Sequence, residues 1–281
     1  MYKDLSDVTG FTFKFEPETM QSAFGSEVRA PQYDVRTEAE IRRVMLDDDA
    51  DIPPVVYWMM RDTGLAEGPY RKDTHDLRFD ISNFIPTMFG REYLKTSGHY
   101  HVKTPDGQYA YPEVYGVLSG RATYLLQKVA NPAAPMEEIV VEDCIVVEGV
   151  AGDKIIMPPD YGHVTINRLP VPLVMANWVS DRFSSQYGAV EEARGFAYYL
   201  IDADGGPKWV KNPNYKKVPP LRVAEVREVR ELGLTADVPL FTAGQQEPEM
   251  MDWLNNPGDY MDAVWSGLEI VGEMDVYELD G

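Results

Sequence analysis

From residue 79 onward, short runs of apolar, β-branched and aromatic residues alternate with turn formers. The pattern predicts strands near 79–85, 92–95, 98–103, 113–118, 121–129, 137–147, 154–157, 163–168, 172–179, 195–202 and 207–211. Glycine, proline and Asp-Gly or Asn-Pro pairs separate them, at Gly90, Asp106-Gly107, Ser119-Gly120, Asn131-Pro132, Gly152, Pro158-Pro159 and Gly205-Gly206. One helix is predicted among them, over 189–194. Many short, evenly spaced strands imply an all-β chain closed into an antiparallel jelly-roll barrel with few helices.

The flanking segments read differently. Phe11-Thr12-Phe13-Lys14-Phe15 alternates cleanly and predicts a strand, part of an N-terminal arm packed on the barrel or on a second subunit. Thr37 and Glu40 have capping-box spacing, and Ile41, Val44 and Met45 follow at helical spacing. The helix should stop at Asp47-Asp48-Asp49, which reads as a solvated loop. The apolar run 53–60 suits an edge strand or an interface, and 61–76, with His75, reads as a polar loop. Pro219-Pro220 marks a break. Beyond it the pieces 221–229, 239–241, 247–265 and 268–277 read as an extension over the barrel or at a dimer surface. The expected organisation is an arm with a short helix over 1–78, the barrel with its site over 79–218, and the extension over 219–281.

Charge narrows the partners. The 281 residues carry a net charge of −20, which argues against nucleic acid and against an anionic membrane. The single cysteine, Cys144, falls in a predicted strand and reads as a buried structural thiol rather than half of a disulfide. The N-terminus has no apolar signal-like region, and no apolar run approaches the ~18 residues of a membrane helix. The cytoplasm is the expected compartment.

Four histidines occur in all, and three of them lie in two short stretches. His99 and His101, two apart on a strand, point the same way. Asp106-Gly107 predicts a tight turn that folds the chain back and sets Glu113 beside the pair. His163 must arrive from a distant strand. A lone His-x-His is as readily an exposed pair. Three imidazoles and a carboxylate on converging strands, however, make an N/O site for one divalent transition metal per subunit, with Fe2+, Mn2+, Ni2+ and Zn2+ all suited. Such a set leaves two positions of an octahedron open.

The wider spacing resembles the two motifs of the cupin superfamily. His99-x-His101, Glu113 and Gly120 answer one motif, and Gly152, Pro158 and His163-x-x-x-Asn167 the other. The finer text is similar to the cupin-type glucose-6-phosphate isomerases of archaea and some bacteria. It lies in Thr96-Ser97-Gly98-His99-Tyr100-His101, Glu113-Val114-Tyr115-Gly116-Val117-Leu118-Ser119-Gly120, Tyr124-Leu125-Leu126-Gln127, His163-Val164-Thr165-Ile166-Asn167, Tyr187-Gly188 and Arg194-Gly195-Phe196, within 80–216. The resemblance implies a cupin barrel (double-stranded β-helix), a homodimer and metal-dependent interconversion of glucose 6-phosphate and fructose 6-phosphate in glycolysis and gluconeogenesis. It also implies phosphate contacts from Ser82, Thr96 and Gly98, and a tyrosine, Tyr187, near the sugar. The chain departs from the pattern in several places. Ser82 stands where threonine is usual, Trp178 where tyrosine is usual, and Ser185 where a histidine is linked to ring opening, which leaves Tyr187, Gln186 or a metal-bound water as the candidate for that catalytic step. Asp160 replaces a glycine, and the loop 102–112 is long.

Two adjacent open metal positions suit O1 and O2 of an open-chain sugar, whose carbonyl would be polarised and its neighbouring C–H acidified. Glu113 is either a ligand alone or a ligand that doubles as base, and both proton transfer and hydride shift stay open. Tyr115 should share the face of Glu113, as proton or hydrogen-bond donor or as a barrel-lining core residue. Thr96, Ser97 and the Gly98 N–H precede the histidine pair and can offer donors to an anion, which an acidic protein must supply locally. Mannose 6-phosphate isomerisation, an Fe(II) dioxygenase and a non-catalytic metal- or sugar-binding cupin are the alternative functions.

Overall fold

Alternating patterns of this kind bury one face of each strand, and here the buried faces belong to two main sheets. The computed structural model describes residues 1–69 and 72–279, without the side chains of residues 72 and 73. Tyr70 and Arg71 of the predicted polar loop, and the last two residues of the predicted extension, lie outside the described residues. One sheet has the spatial order Lys154–Met157, Glu113–Ser119, Leu173–Ser180, Leu77–Phe84, Val55–Arg61, Gln32–Thr37. The other has the order Leu268–Glu273, Leu221–Val226, Val141–Val150, Arg121–Val129, Tyr161–Asn167, Glu92–Lys95, Tyr198–Ala203, Gly206–Lys211, Val276–Tyr277. Within these two orders, pairing is antiparallel except for 141–150 with 221–226 and 206–211 with 276–277. The chain is thus an all-β cupin jelly roll with a few short helices.

Most predicted strands appear within a few residues of their expected limits. Two differ for local reasons. The strand expected over 137–147 starts at Val141, because Met136–Glu138 forms a 3-10 turn after Pro135. The strand expected over 98–103 shrinks to Tyr100–His101. Gly98 sits at φ +70°, a left-handed conformation that bends the chain, and His99 makes only an isolated bridge to His163.

The segment 53–60 is not an edge. Val55–Arg61 lies between Leu77–Phe84 and Gln32–Thr37, and the latter forms the rim of the sheet. The rim strand escaped detection because Gln32, Tyr33 and Asp34 are exposed and carry no apolar alternation. The capping box at Thr37 forms as expected. The Thr37 N–H and Oγ1 donate to Glu40 Oε2 at 2.9 and 2.7 Å. The helix it starts, Glu38–Ile41, passes into a 3-10 turn, Arg42–Val44, and buries Ile41, Val44 and Met45 in the barrel core.

A second core lies on the outer face of the smaller sheet. Phe11, Phe13 and Phe15 of the alternating N-terminal stretch are buried there with Phe79, Trp178, Phe241 and Trp253. Trp178 Nε1 donates to the Leu240 carbonyl at 2.9 Å, and its ring stacks on Phe241 at 5.7 Å. Trp178 therefore faces the helix Leu240–Gln246, away from the barrel interior. Strand alternation gives the interior to its neighbours Asn177 and Val179. Truncating a ring so packed costs about 3–5 kcal/mol.

Candidate metal centre

Register assembles the interior face of the smaller sheet. Tyr115 lies opposite Asn177, which lies opposite Asp80. In the next row Met175 lies opposite Ser82, and Ser82 opposite Met59. Beyond that Tyr57 lies opposite Arg36. Glu113, two residues before Tyr115, shares this face. His163 comes from Tyr161–Asn167 in the other sheet, so the centre sits where the two sheets face each other.

The histidine pair is carried between them. The His99 N–H donates to the His163 carbonyl at 3.2 Å, and the His163 N–H returns the bond at 3.1 Å. This approach requires glycine at 162. A Cβ there would lie 2.6 Å from a Tyr100 ring carbon and 2.9 Å from the His99 carbonyl oxygen. The long loop after His101 is a hairpin, with Thr104 N–H to Tyr109 O at 2.8 Å and Tyr111 N–H to Val102 O at 3.2 Å. Gly107, at φ +73°, makes its turn. Asp160 stands in the left-handed region at φ +67°, which Asp tolerates better than most residues. Its Oδ1 accepts the Ala110 N–H at 2.9 Å, pinning the hairpin to the entry of the His163 strand.

The donor atoms of His99, His101, Glu113 and His163 all lie within 4.8 Å of one another. His101 Nε2 is 3.0 Å from His99 Nε2 and 3.6 Å from Glu113 Oε2, and His163 Nε2 is 3.2 Å from Glu113 Oε2. His101, Glu113 and His163 are 5%, 3% and 2% exposed. His101 Nδ1 sits 2.8 Å from the Tyr111 carbonyl, which can only accept. The proton is therefore on Nδ1, and Nε2 presents its lone pair inward. Burial lowers His101 to a pKa of about 4, and burial with the neighbouring imidazoles holds His99 well below the usual histidine range. Burial alone would raise Glu113. The close approach of the His163 ring, then of the His101 ring, outweighs it and holds Glu113 below its ordinary value, so the carboxylate is ionised. Glu113 Oε2 is buried with no hydrogen-bond partner. Ring nitrogens gathered around a buried carboxylate oxygen that has no hydrogen-bond partner fit a divalent cation, which would satisfy all of them at once.

The same shifts set a pH dependence for the metal-free protein. The folded pKa values of His99 and His101 lie below the unfolded value of ~6.5, so the unfolded chain binds more protons as pH falls. The stability these groups contribute is full above pH ~6.5 and is lost as pH drops toward 4. For His101 the span from ~6.5 to about 4 is worth about 3 kcal/mol. Urea unfolding of chelator-treated protein should show lower stability at pH 4.5 than at pH 7.5, with a smaller drop in His101→Gln. Equal drops in both proteins would refute the assignment.

The other predicted residues fall around this cluster. The Tyr115 hydroxyl is 3.3 Å from His163 Nε2, and burial, then Glu113, raises its pKa well above the ordinary tyrosine value. The Tyr187 ring is 5.5 Å from that of His99. Ser82 is buried on the interior face. Thr96 is bound to the His163 strand, its N–H donating to the Thr165 carbonyl at 2.9 Å and its Oγ1 accepting the Thr165 N–H at 3.0 Å. A Cβ on Gly98 would come 3.3 Å from Val164 Cβ, so this glycine serves a bend and a close packing contact. Ser185 pairs with His101 through the backbone, in the short strand Ser185–Gln186. Cys144 is buried and free, as a structural thiol should be.

Sequence reasoning missed the second layer. Asp80, fully buried, takes Arg61 Nη1 at 2.8 Å and Arg78 Nε at 3.0 Å. The Arg78 guanidinium lies 5.2 Å from the Phe183 ring, and that ring 4.6 Å from His101. Spacing carries no signal for these contacts. They follow from register, which places Asp80 in the row of Tyr115. A cavity of about 410 Å3 reaches His101 alone of the four donors and is lined also by Tyr100, Lys103, Lys128, Asp160 and Gln186.

The profile of the family described as Glucose-6-phosphate isomerase (GPI) matches residues 36–219, most of the chain and all four donors. The chain belongs to this family. It is 31% identical over 140 residues to the glucose-6-phosphate isomerase of Thermococcus gammatolerans, covering 50% of this chain and 65% of the relative. It is 30% identical over 142 residues to that of Pyrococcus furiosus, covering 50% and 66%. The chain thus spans just under two-thirds of the length of these relatives. Hazelnut (Corylus avellana) vicilin shows 15% identity over 58% of this chain and 37% of its own, at a TM-score of 0.34, a likeness too slight to argue from.

Proposed function

We propose that the protein is a metal-dependent aldose–ketose isomerase interconverting glucose 6-phosphate and fructose 6-phosphate. One observation carries the reading. A buried set of three imidazoles and a carboxylate, with one carboxylate oxygen left unpartnered, lies in a chain of the glucose-6-phosphate isomerase family.

A divalent cation held by His99, His101, Glu113 and His163 supplies Lewis acidity toward a substrate carbonyl. The protein's own groups do the rest. The Tyr111 carbonyl fixes the tautomer and ring orientation of His101. Glu113, kept ionised by His163 and His101, can accept a proton from carbon beside the carbonyl. Tyr115 stays protonated, so its hydroxyl is a donor to a sugar oxygen. Burial of His101, Glu113 and His163 keeps bulk water off the reacting carbons. Three imidazoles and a carboxylate suit Fe(II), Mn(II), Ni(II) and Zn(II) alike.

The test is a coupled assay on fructose 6-phosphate, with protein stripped by chelator and reloaded with each metal in turn. Turnover should vanish with the metal and return with at least one of the four ions. Full turnover by the stripped protein would refute metal dependence, and no turnover with any ion would refute the isomerase reading.

A further inference from the structure

A chain of net charge −20 must bring a cation to any dianionic substrate, and most of the cations near the centre are already engaged. Arg61 and Arg78 share the fully buried carboxylate of Asp80. Lys95 is buried against Glu92 and lies 4.6 Å from the Tyr199 ring. Arg36 is placed differently. Its side chain is 14% exposed, and its guanidinium lies 5.9 Å from the Tyr57 ring and 5.7 Å from the Tyr187 ring. Tyr187 is in turn the ring beside His99. Arg36 Nε donates to the Tyr57 hydroxyl at 3.0 Å, and Nη1 donates to Glu40 Oε1 at 2.8 Å. Nη2 has no hydrogen-bond partner among the described residues. Glu40 is 41% exposed and is held from below by the capping box, so the anion of the pair faces water and the cation faces the tyrosines.

We propose that Arg36 is the cationic anchor for the phosphate of the substrate and sets the preference for phosphorylated over neutral sugars. The proposal rests on the isomerase reading. The flat guanidinium is preorganised between two tyrosine rings, so little side-chain freedom remains to be lost when it meets an anion. Its unpartnered Nη2 can donate to a phosphate oxygen, and such charge-assisted bonds are about twice as strong as neutral ones. The Tyr57 hydroxyl already accepts from Nε, and burial keeps it protonated, so it adds a donor on the same side. The strand register gives the direction. Arg36 lies opposite Tyr57 on the face that carries Ser82, Tyr115 and Glu113, so the anchor and the metal donors open on one interior.

The test measures inorganic phosphate binding by calorimetry on the metal-loaded protein, alongside kcat and KM for fructose 6-phosphate. Arg36→Gln should weaken phosphate at least tenfold and raise KM at least tenfold, with a smaller change in kcat and unchanged metal content. Arg36→Lys should recover part of the loss. Glu40→Gln keeps the capping geometry while removing the competing charge, and should tighten phosphate severalfold. Should Arg36→Gln not fold, the lysine and Glu40 variants decide the matter by the same readout. Wild-type phosphate affinity in Arg36→Gln and in Glu40→Gln would overturn the proposal, whatever the isomerase assay shows. Weakened phosphate in Arg36→Gln, with no isomerase turnover in the wild type, would keep the anchor and discard the isomerase reading.

Discussion

Replacing His101 or His163 by alanine is expected to remove bound metal and isomerase turnover together. Each variant deletes one inward nitrogen from a set whose donors lie within 4.8 Å of one another. Changes to groups that merely orient a ligand cost 10–100-fold in metal affinity or activity, so loss of a ligand should cost at least a hundredfold. The fold should tolerate both changes. The bridge between residues 99 and 163 is made by backbone groups, and the strand Tyr100–His101 pairs with Ser185–Gln186 through its backbone. Metal content by atomic emission, turnover on fructose 6-phosphate and the unfolding midpoint should be measured on the same preparations. Turnover near the wild-type rate from a variant that holds no metal would end the assignment.

Glu113→Gln separates ligation from proton transfer. Glutamine keeps the shape of the side chain and one oxygen, but loses the charge that the neighbouring imidazoles favour. The expected outcome is a variant that still loads metal at raised concentration yet turns over roughly 100 to 10,000 times more slowly, the usual loss when a general base is removed. The Tyr115 hydroxyl and His163 stay in place, so the effect is not a collapse of the site. A metal-loaded Glu113→Gln enzyme within tenfold of wild type would restrict Glu113 to ligation, and hydrogen would then have to move by another route. Complete loss of metal would also argue for a ligand role, and the kcat of any residual loaded fraction would carry the answer.

Three of the four donors that converge here were legible from local signals, while His163, on a distant strand, was legible only from the spacing of the second motif. Period two puts His99 and His101 on one side of their segment, and Asp106-Gly107 announces the hairpin that returns the chain to Glu113. The strands of the barrel were legible for the same reason, since a half-buried strand writes its alternation into neighbouring residues. The rim strand Gln32–Thr37 was not, because an exposed edge buries too little to leave a pattern.

What tertiary structure decided is everything that depends on pairing between distant strands. Composition and turn chemistry give each strand two faces, and only register says which face looks inward. That choice turned Trp178 away from the barrel interior and into a core with Phe241. It set Asp80 in the row of Tyr115, with Arg61 and Arg78 upon it. It brought Arg36, from a rim strand with no visible pattern, to within two ring contacts of His99. By itself the sequence determined which residues have the chemistry to hold a cation. The closure of two sheets determined which other charges that cation would meet, because a one-residue slip in pairing exchanges every inner side chain for an outer one.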